Sequence, residues 1–149
     1  MRYQLIHTDF RCLHCRQVVS TCSGLSGVRN RNHCPYCLWS RHLDMSQPGD
    51  RLSACKAGMR PLGLTIKRAA KKYSHHPSGE LMLIHQCIEC GKVSINRVAA
   101  DDFAENLFEI YQGYRQIDEL LRLELETSGV LTLQAADHQL VQSRLFGRN

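Results

Sequence analysis

The sequence predicts a small α+β domain, and three features of the chain support this fold class. Six of the eight cysteines lie in three Cys-x-x-Cys pairs, a spacing that lets a tight turn aim two sulfurs at one ion. Residues typical of β-strands flank two of these pairs. Beyond residue 100, apolar residues recur every three or four positions, which indicates amphipathic helices.

The eight cysteines favour metal binding over disulfide bonds. The N-terminal segment has no long apolar stretch and no small-residue cleavage site, so the sequence predicts a cytoplasmic protein without a signal peptide. It also lacks an 18-residue apolar run, and we therefore expect no membrane span. In a reducing cytosol, closely spaced cysteines more often bind metal than form disulfides. We expect two zinc ions per chain.

Two of the cysteine pairs resemble the two halves of a zinc ribbon. The segments "DFRCLHCRQVV" and "LMLIHQCIECGKVSINRV" each predict a strand, a knuckle and a second strand, with Gly91 where a positive φ is needed. In a zinc ribbon, each hairpin supplies two sulfurs to one tetrahedral ion. The first predicted zinc site therefore consists of Cys12, Cys15, Cys87 and Cys90.

An insertion between these hairpins supplies the second predicted zinc knuckle. It contains "CPYCLWSRHLD" and then "QPGDRLSAC", which offer the sulfurs of Cys34, Cys37 and Cys55. His42 is the nearest plausible fourth ligand, because four residues separate it from Cys37 and let the chain turn back. His33 directly precedes Cys34, so its ring is predicted to pack or hydrogen-bond outside the coordination shell.

The stretch "RNHCPYC" at residues 31–37 resembles the motif for which the RNHCP domain family is named. The surrounding motifs are similar to that family as well, and they occur in order over about residues 9–102: "FRCLHC", "RNHCPYCLWSRHLD", "PGDR", "IHQCIECG" and "NRVAADD". The resemblance implies a small, zinc-finger-like prokaryotic domain without an established activity. The predicted organisation is therefore an RNHCP-like zinc-binding domain at 1–102 and a helical extension at 103–149.

The helical extension is predicted to be a hairpin of two helices. Asp101 or Asp102 can cap the start of the first helix, and Gly129 can end it. The second helix is predicted to end at Gly147. Acidic residues on these helices make them a candidate surface for a protein partner.

Charge is distributed unevenly along the chain. Residues 1–72 carry thirteen Lys or Arg and three Asp or Glu, whereas residues 73–149 carry six and eleven. A basic half favours an anionic partner, and RNA or the ribosome is the predicted one. Cationic side chains would contact phosphates, and asparagines would read base edges or the 2′-hydroxyl. The candidate residues are Arg29, Asn30, Arg31, Asn32, Arg41, Lys67, Arg68, Lys71 and Lys72.

The run of Arg and Asn at 29–32 has a second interpretation. Instead of forming a donor surface for an anionic partner, it could clamp the carboxylates of "NRVAADD". Sequence reasoning leaves both interpretations open.

Three functions remain open at this stage. The first is a zinc-binding, non-catalytic nucleic-acid-binding module, and the second is a zinc-stabilised adaptor that binds a protein through its acidic helices. The third is a metal-dependent nuclease or hydrolase, in which carboxylates would hold a divalent ion. A catalytic zinc needs an open coordination position, whereas both predicted sites have four protein ligands, so the sequence favours a non-enzyme. The available oxygen ligands are Asp44, Asp50, Asn96, Asp101 and Asp102.

Overall fold

The computed structural model of the chain describes residues 9–28, 30–46, 50–67 and 79–147. Within these ranges lie two antiparallel sheets and a set of helices, which confirms the α+β class. The smaller sheet pairs β1 (Phe10–Arg11) with β2 (Val18–Val19). The larger sheet has four strands, and each is hydrogen-bonded to the next in this order: β3 (Ser40–Arg41), β4 (Gly58–Lys67), β5 (Glu80–Cys87) and β6 (Val93–Arg97). The α-helices are α1 (Ser23–Ser26), α2 (Ala104–Gln112), α3 (Glu119–Thr127) and α4 (His138–Phe146).

The central strands β4 and β5 are covered on both faces. Side chains alternate across a strand, so neighbours in sequence point to opposite faces of the sheet. Leu83 belongs to the cluster that includes residues of α2 and α4, whereas Ile84 packs with Leu125 of α3. Burial on both faces explains why β5 has a nearly continuous apolar sequence instead of a regular alternation.

The predicted first helix is interrupted. The helix α2 ends at Gln112, a 3-10 turn follows at Gly113–Gln116, and α3 begins after Asp118. The Asp118 side chain accepts a hydrogen bond from the backbone N–H of Leu121 at 2.8 Å, so it caps a new helix. The C-terminal segment therefore has three α-helices, and the predicted two-helix hairpin was wrong.

The predicted C-terminal ends of the two helices agree with the structure, whereas the predicted N-terminal cap of the first helix does not. Gly129 lies just beyond α3 with a φ of 81°, and Gly147 ends α4 with a φ of 65°. Both values fall in the left-handed region that glycine adopts without strain. The residue that precedes α2 is Phe103, and it provides no side-chain cap. The predicted caps, Asp101 and Asp102, bind other groups that are described below.

The C-terminal helices share a hydrophobic core with the larger sheet. Leu107 and Tyr111 of α2 and Val141 of α4 pack in one buried cluster with Leu64 and Leu83. Tyr111 is 1% exposed, and its hydroxyl donates to the Gln134 carbonyl oxygen at 2.7 Å. Whether the chain also divides into folding units near residue 102 stays a prediction. Among the described helices, none has the length and apolar character required to cross a membrane.

Candidate metal centres and the adjoining cleft

The first candidate metal centre brings together the first two cysteine pairs. One ligand atom from each of four residues falls within 4.8 Å of the others: Cys12, Cys15, Cys34 and Cys37. The Sγ–Sγ distance is 3.5 Å both between Cys12 and Cys37 and between Cys15 and Cys34. Zinc–sulfur bonds of about 2.3 Å in a tetrahedron give sulfur–sulfur separations of roughly 3.8 Å. The four sulfurs are therefore compatible with one zinc ion.

The second candidate metal centre has three sulfurs and one imidazole. Its members lie at the ends of the larger sheet's strands: His42, Cys55, Cys87 and Cys90. The Sγ atoms of Cys55 and Cys87 are 3.6 Å apart, and Nδ1 of His42 lies 3.3 Å from the Sγ of Cys90. This set is compatible with a second zinc ion, with His42 as its nitrogen ligand, although His42 was expected to share its site with Cys34 and Cys37.

The predicted pairing of the cysteines was wrong, although the eight residues in the two centres are those predicted. Strand order gives the reason. β3 pairs with β4, and β4 pairs with β5, so His42 and Cys55 lie beside Cys87 at one end of the sheet. The two cysteines of the first hairpin, Cys12 and Cys15, therefore share a centre with Cys34 and Cys37 of the neighbouring knuckle.

All three knuckles turn in the same way. The residue after the second cysteine has a positive φ: 69° for Arg16, 64° for Leu38 and 77° for Gly91. In each turn, the N–H of that residue donates to the carbonyl oxygen of the first cysteine, at 2.9–3.1 Å. The expected conformation of Gly91 is thus confirmed. Arg16 and Leu38 adopt a backbone conformation that is unfavourable for their residue types, and metal coordination by the adjacent cysteines would hold it.

The two centres differ in exposure. In the first centre, Cys12 and Cys34 are buried, whereas in the second Cys55 and Cys90 are exposed. Burial raises the pKa of the Cys34 thiol to about 11. Burial also acts to raise the pKa of Cys87, but hydrogen bonds, first those from the backbone N–H groups of the same knuckle, lower it to about 6. Zinc binds the thiolate form, so burial opposes metal binding at Cys34, whereas the backbone hydrogen bonds favour it at Cys87.

The motif that precedes Cys34 forms a buried polar clamp, which we call the RNH clamp: Arg31, His33, Asp101 and Asp102. Nη1 of Arg31 donates to both carboxylate oxygens of Asp101, at 2.6 and 2.8 Å, and Nη2 donates to Asp102 at 3.1 Å. Nε2 of His33 lies 2.7 Å from Oδ2 of Asp102. His33 thus hydrogen-bonds outside the coordination shell, as predicted.

The RNH clamp settles the open question about Arg31. Its side chain is 0% exposed, so Arg31 cannot belong to a surface that contacts phosphates. Including it among the nucleic-acid-binding residues was wrong, because its guanidinium compensates two carboxylates inside the fold. The same contacts explain why Asp101 and Asp102 do not cap α2.

The other predicted nucleic-acid-binding residues have different surroundings. Asn30 and Lys67 are exposed, and Arg41 is half-buried. The amide of Asn32 donates to Asp44 at 3.1 Å, and its carbonyl oxygen accepts from Arg51, so this residue is already engaged within the protein. The remaining candidates lie outside the described residues: Arg29, Arg68, Lys71 and Lys72.

The proposed oxygen ligands of a hydrolytic metal are occupied by protein groups. Asp101 and Asp102 belong to the RNH clamp, and Asp44 binds Asn32. The carboxylate of Asp50 accepts hydrogen bonds from the backbone N–H groups of Met45 and Ser46, both at 2.8 Å. The amide of Asn96 lies 2.8 Å from Nδ1 of His85. Among the described residues, the groups placed to share one metal ion contain only cysteine and histidine.

Sequence reasoning missed His85, which lies in the middle of β5 and is completely buried. Nε2 of His85 donates to the Leu38 carbonyl oxygen at 2.7 Å, so Nδ1 is free to accept from the Asn96 amide. Burial lowers the pKa of His85 to about 3, and the nearby His33 contributes to this shift. His85 is therefore neutral and links the sheet to the second knuckle. A histidine that directly follows the apolar run "LMLI" was the signal for such a role.

Sequence reasoning also missed a cleft between the first and third knuckles, which we call the knuckle cleft. Its volume is about 250 Å³, and the residues important for its chemistry are Arg11, Leu13, His14, Trp39, Arg41 and Ile88. The rings of His14 and Trp39 are stacked, with centroids 4.1 Å apart and planes within 5° of parallel. Gly58 lies beside the stack, where an added Cβ would be 3.5 Å from the Trp39 ring.

Taken together, the sheet, the knuckles and the two four-ligand centres define a small α+β domain of the zinc-finger type, compatible with two zinc ions. The model of the RNHCP domain matches residues 7–108, more than half of the chain, and the chain belongs to this family. The match reaches into α2. Comparisons with curated proteins and with solved structures found no match.

Proposed function

We propose that this chain is a zinc-stabilised, non-catalytic module that binds RNA in the cytoplasm, with ribosomal RNA as the candidate target. The observation that carries the proposal is a group of four cations at the knuckle cleft, which we call the cleft cations: Arg11, Arg16, Arg41 and Lys56. Arg11 and Arg41 line the cleft, and their side chains donate to the backbone carbonyl oxygens of Arg16 and Lys56. The resemblance of the knuckles to zinc ribbons, which often present such surfaces, stays part of this proposal.

A hydrogen bond from an arginine side chain to a backbone carbonyl oxygen joins the cleft cations in each of two pairs. Nη1 of Arg11 donates to the carbonyl oxygen of Arg16 at 2.9 Å, and Nε of Arg41 donates to that of Lys56 at 3.2 Å. Each guanidinium has five N–H donors, so most of them remain available for an anion. Arg11 and Arg41 line the same cleft, which brings one cation of each pair to one surface.

The cleft cations lack acidic partners, in contrast to several other arginines of the protein. Arg31, Arg51 and Arg97 each lie within ion-pair distance of a carboxylate. Throughout the ranges that the structure describes, no carboxylate lies within 4.0 Å of a cleft cation. Unpaired cations grouped on one surface create the positive potential that attracts a phosphate backbone.

Salt dependence of RNA binding tests the proposal. The probe is a fluorescently labelled, single-stranded RNA twelve-mer, titrated with the zinc-loaded protein at several salt concentrations. Each phosphate contact on a single strand contributes about −0.7 to the slope of log K against log salt, so four contacts predict a slope of about −3. The double variant Arg11→Gln/Arg41→Gln should reduce it to about −1.4.

A matched double variant controls for net charge. Arg97→Gln/Arg122→Gln removes the same charge from two arginines that pair with Glu80 and Glu119. The slope of this control should equal that of the wild type. If the wild-type protein fails to bind RNA at low salt, where nonspecific attraction is strongest, the proposal is wrong. If both double variants reduce the slope equally, net charge alone, and not the cleft cations, causes RNA binding.

Exposed leucines favour a second candidate function, that of a protein-binding adaptor. Leu120 and Leu123 of α3 are 76% and 50% exposed, and they border a groove formed with Gly91, Lys92 and Val93. Exposed apolar side chains grouped along a groove mark an interaction surface more often than isolated ones do. The groove adjoins the knuckle of Cys87, so the second metal centre would shape it.

Site-specific photo-crosslinking in living cells tests the adaptor function. A photoreactive residue at position 120 should give a discrete protein adduct, whereas the same residue at position 105, an exposed site on α2, should not. The adduct should disappear when Leu123 is also replaced by Gln. Equal labelling at both positions would count against a specific protein partner.

A further inference from the structure

We propose that the knuckle cleft binds one unpaired base of single-stranded RNA, stacked on His14, with the adjacent phosphates on Arg11 and Arg41. This inference rests on the proposed RNA-binding function and names the part of RNA that the cleft recognises. In this inference the stacked rings of His14 and Trp39 have a role in binding that the charge of the cleft cations does not provide.

The stacked rings provide a flat platform for a base. One face of His14 lies on Trp39, and His14 itself is exposed, so a third planar group can extend the stack. Proteins that bind single strands hold bases in this way, on the faces of aromatic side chains. Gly58 of the larger sheet lies beside Trp39, where an added Cβ would be in van der Waals contact with the indole ring.

The two arginines are placed for the phosphates on either side of such a base. Arg11 belongs to β1 and Arg41 to β3, and both line the knuckle cleft together with the His14–Trp39 stack. Arginine suits this position because its planar fork of donors matches the geometry of phosphate oxygens. An aromatic platform with cations around it is complementary to a nucleotide in a strand, because the planar base of that nucleotide lies near two anionic phosphates.

The metal centres determine the shape of the cleft. Leu13 lies between two ligands of the first centre, and Ile88 lies between two ligands of the second. These side chains are 57% and 55% exposed, yet both line the knuckle cleft. A base that enters the cleft would cover apolar surface that is now in water, which adds to its affinity. Both metal centres must therefore be intact for the cleft to keep its width.

A nucleotide explains the cleft better than an acidic peptide does. A peptide carboxylate would use the two arginines, but it would leave the stacked rings and the apolar walls without a planar partner. A base uses all three features at once: ring face, apolar wall and cationic rim. The test below includes an acidic peptide so that this alternative has its own outcome.

The fluorescence of Trp39 reports on the cleft directly, because it is the only tryptophan of the chain. The zinc-loaded, full-length protein is titrated with a uridine hexamer, with an abasic hexamer of equal phosphate number, and with a hexaglutamate peptide. The uridine hexamer should quench Trp39 and bind about ten-fold more tightly than the abasic one, since stacking contributes to affinity base by base. Hexaglutamate should bind no better than the abasic hexamer.

Two variants separate stacking from charge. His14→Ala should abolish the ten-fold preference for the uridine hexamer and leave the salt slope unchanged. His138→Ala, which removes an exposed histidine on α4 outside the cleft, should retain the preference. Zinc content and thermal melting of both variants show whether the fold is retained.

The outcomes distinguish this inference from the proposed function. Equal affinity for the uridine and abasic hexamers, with no quenching of Trp39, would overturn the base-binding cleft and leave RNA binding through the cleft cations in place. Retention of the preference by His14→Ala would also overturn it. Preferential binding of hexaglutamate would replace the nucleotide by an acidic peptide. Failure of both hexamers to bind at low salt would refute the proposed function and this inference together.

Discussion

Nη1 of Arg31 lies 2.6 and 2.8 Å from the two carboxylate oxygens of Asp101, although 70 positions separate the two residues in sequence. This contact joins the segment that leads into Cys34 to the turn that leads into α2. Asp102 completes the RNH clamp by accepting from Arg31 at 3.1 Å and from the Ala99 N–H at 2.8 Å. The motif thus connects the first metal centre to the C-terminal helices.

Replacing Arg31 should destabilise the protein strongly. In Arg31→Met the side chain of Asp102, which is 0% exposed, loses the guanidinium that compensates its charge. Breaking a buried pair in this way costs about 3–5 kcal/mol. Urea unfolding measures the change, and Arg97→Met is the matched control, because the Arg97–Glu80 pair is exposed and should contribute less than about 1 kcal/mol. Equal effects of the two substitutions would refute the structural role of the RNH clamp.

The aromatic residue Tyr111 should stabilise the sheet as well as its own helix. Tyr111→Ala removes a ring from the core shared by α2, α4 and β4, with an expected loss of about 3–5 kcal/mol. Tyr111→Phe removes only the hydrogen bond to Gln134, with an expected loss of about 1 kcal/mol.

Hydrogen exchange identifies where the stability is lost. In Tyr111→Ala, the amides of β4 and β5 should exchange faster, because the sheet and the helices share one core. Leu123→Ala, at an exposed position on α3, should leave them unchanged. Normal protection of β4 and β5 in Tyr111→Ala would show that residues 103–149 fold separately from the zinc-binding part.

The two histidines of the "HCPYCLWSRH" segment should respond differently to replacement. His42→Ala removes a nitrogen from the second centre and should lower the zinc content from two equivalents towards one. His33→Ala should retain both zinc ions but lower the stability, because Asp102 loses a hydrogen-bond partner. Elemental analysis of the purified, reduced proteins measures the zinc content of each variant. Full zinc in His42→Ala would remove His42 from the ligand set.

Zinc should leave the two centres at different rates. Cys55 and Cys90 of the second centre are exposed, whereas Cys12 and Cys34 of the first are buried, so a chelator reaches the second centre first. Release monitored with a colorimetric zinc indicator should show two phases of equal amplitude. Complete removal should unfold much of the domain, because structural zinc contributes about 10 kcal/mol or more to folding. Release in a single phase would contradict this order.

Local patterns in the sequence predicted the metal ligands well. A Cys-x-x-Cys spacing forms its knuckle within one turn, so it can be recognised without knowledge of the fold. His42 was identified as a ligand by similar local reasoning, but the structure places it with Cys55, Cys87 and Cys90 and not in the centre that contains Cys37. The ends of α3 and α4 were also predictable, since Gly129 and Gly147 adopt the left-handed conformation that ends a helix.

Features that depend on distant parts of the chain were not predictable from these patterns. The pairing of cysteines follows from the order of β3, β4 and β5, which no local spacing specifies. The break between α2 and α3 depends on Asp118, whose capping role was hidden by an apolar periodicity that continues across it. The knuckle cleft is formed by residues up to 78 positions apart, such as Phe10 and Ile88, that only the fold brings together.

The central claim is that the first centre consists of the first four ligand cysteines and the second of His42 with the last three. Zinc content of the wild type cannot test this claim, because both possible pairings give one centre with four sulfurs and one with three sulfurs and a nitrogen. Removing one centre breaks this degeneracy. The double variant Cys34→Ser/Cys37→Ser destroys a different centre under each pairing, so the centre that survives has a different ligand set.

X-ray absorption at the zinc edge of Cys34→Ser/Cys37→Ser is therefore the most direct test. Zinc–sulfur bonds are about 2.3 Å long and zinc–nitrogen bonds about 2.0–2.1 Å, so the two ligand sets can be distinguished. The account predicts one remaining zinc ion bound by three sulfurs and one nitrogen, those of His42, Cys55, Cys87 and Cys90. A remaining zinc ion bound by four sulfurs would contradict it and would restore the pairing of the first hairpin with Cys87 and Cys90.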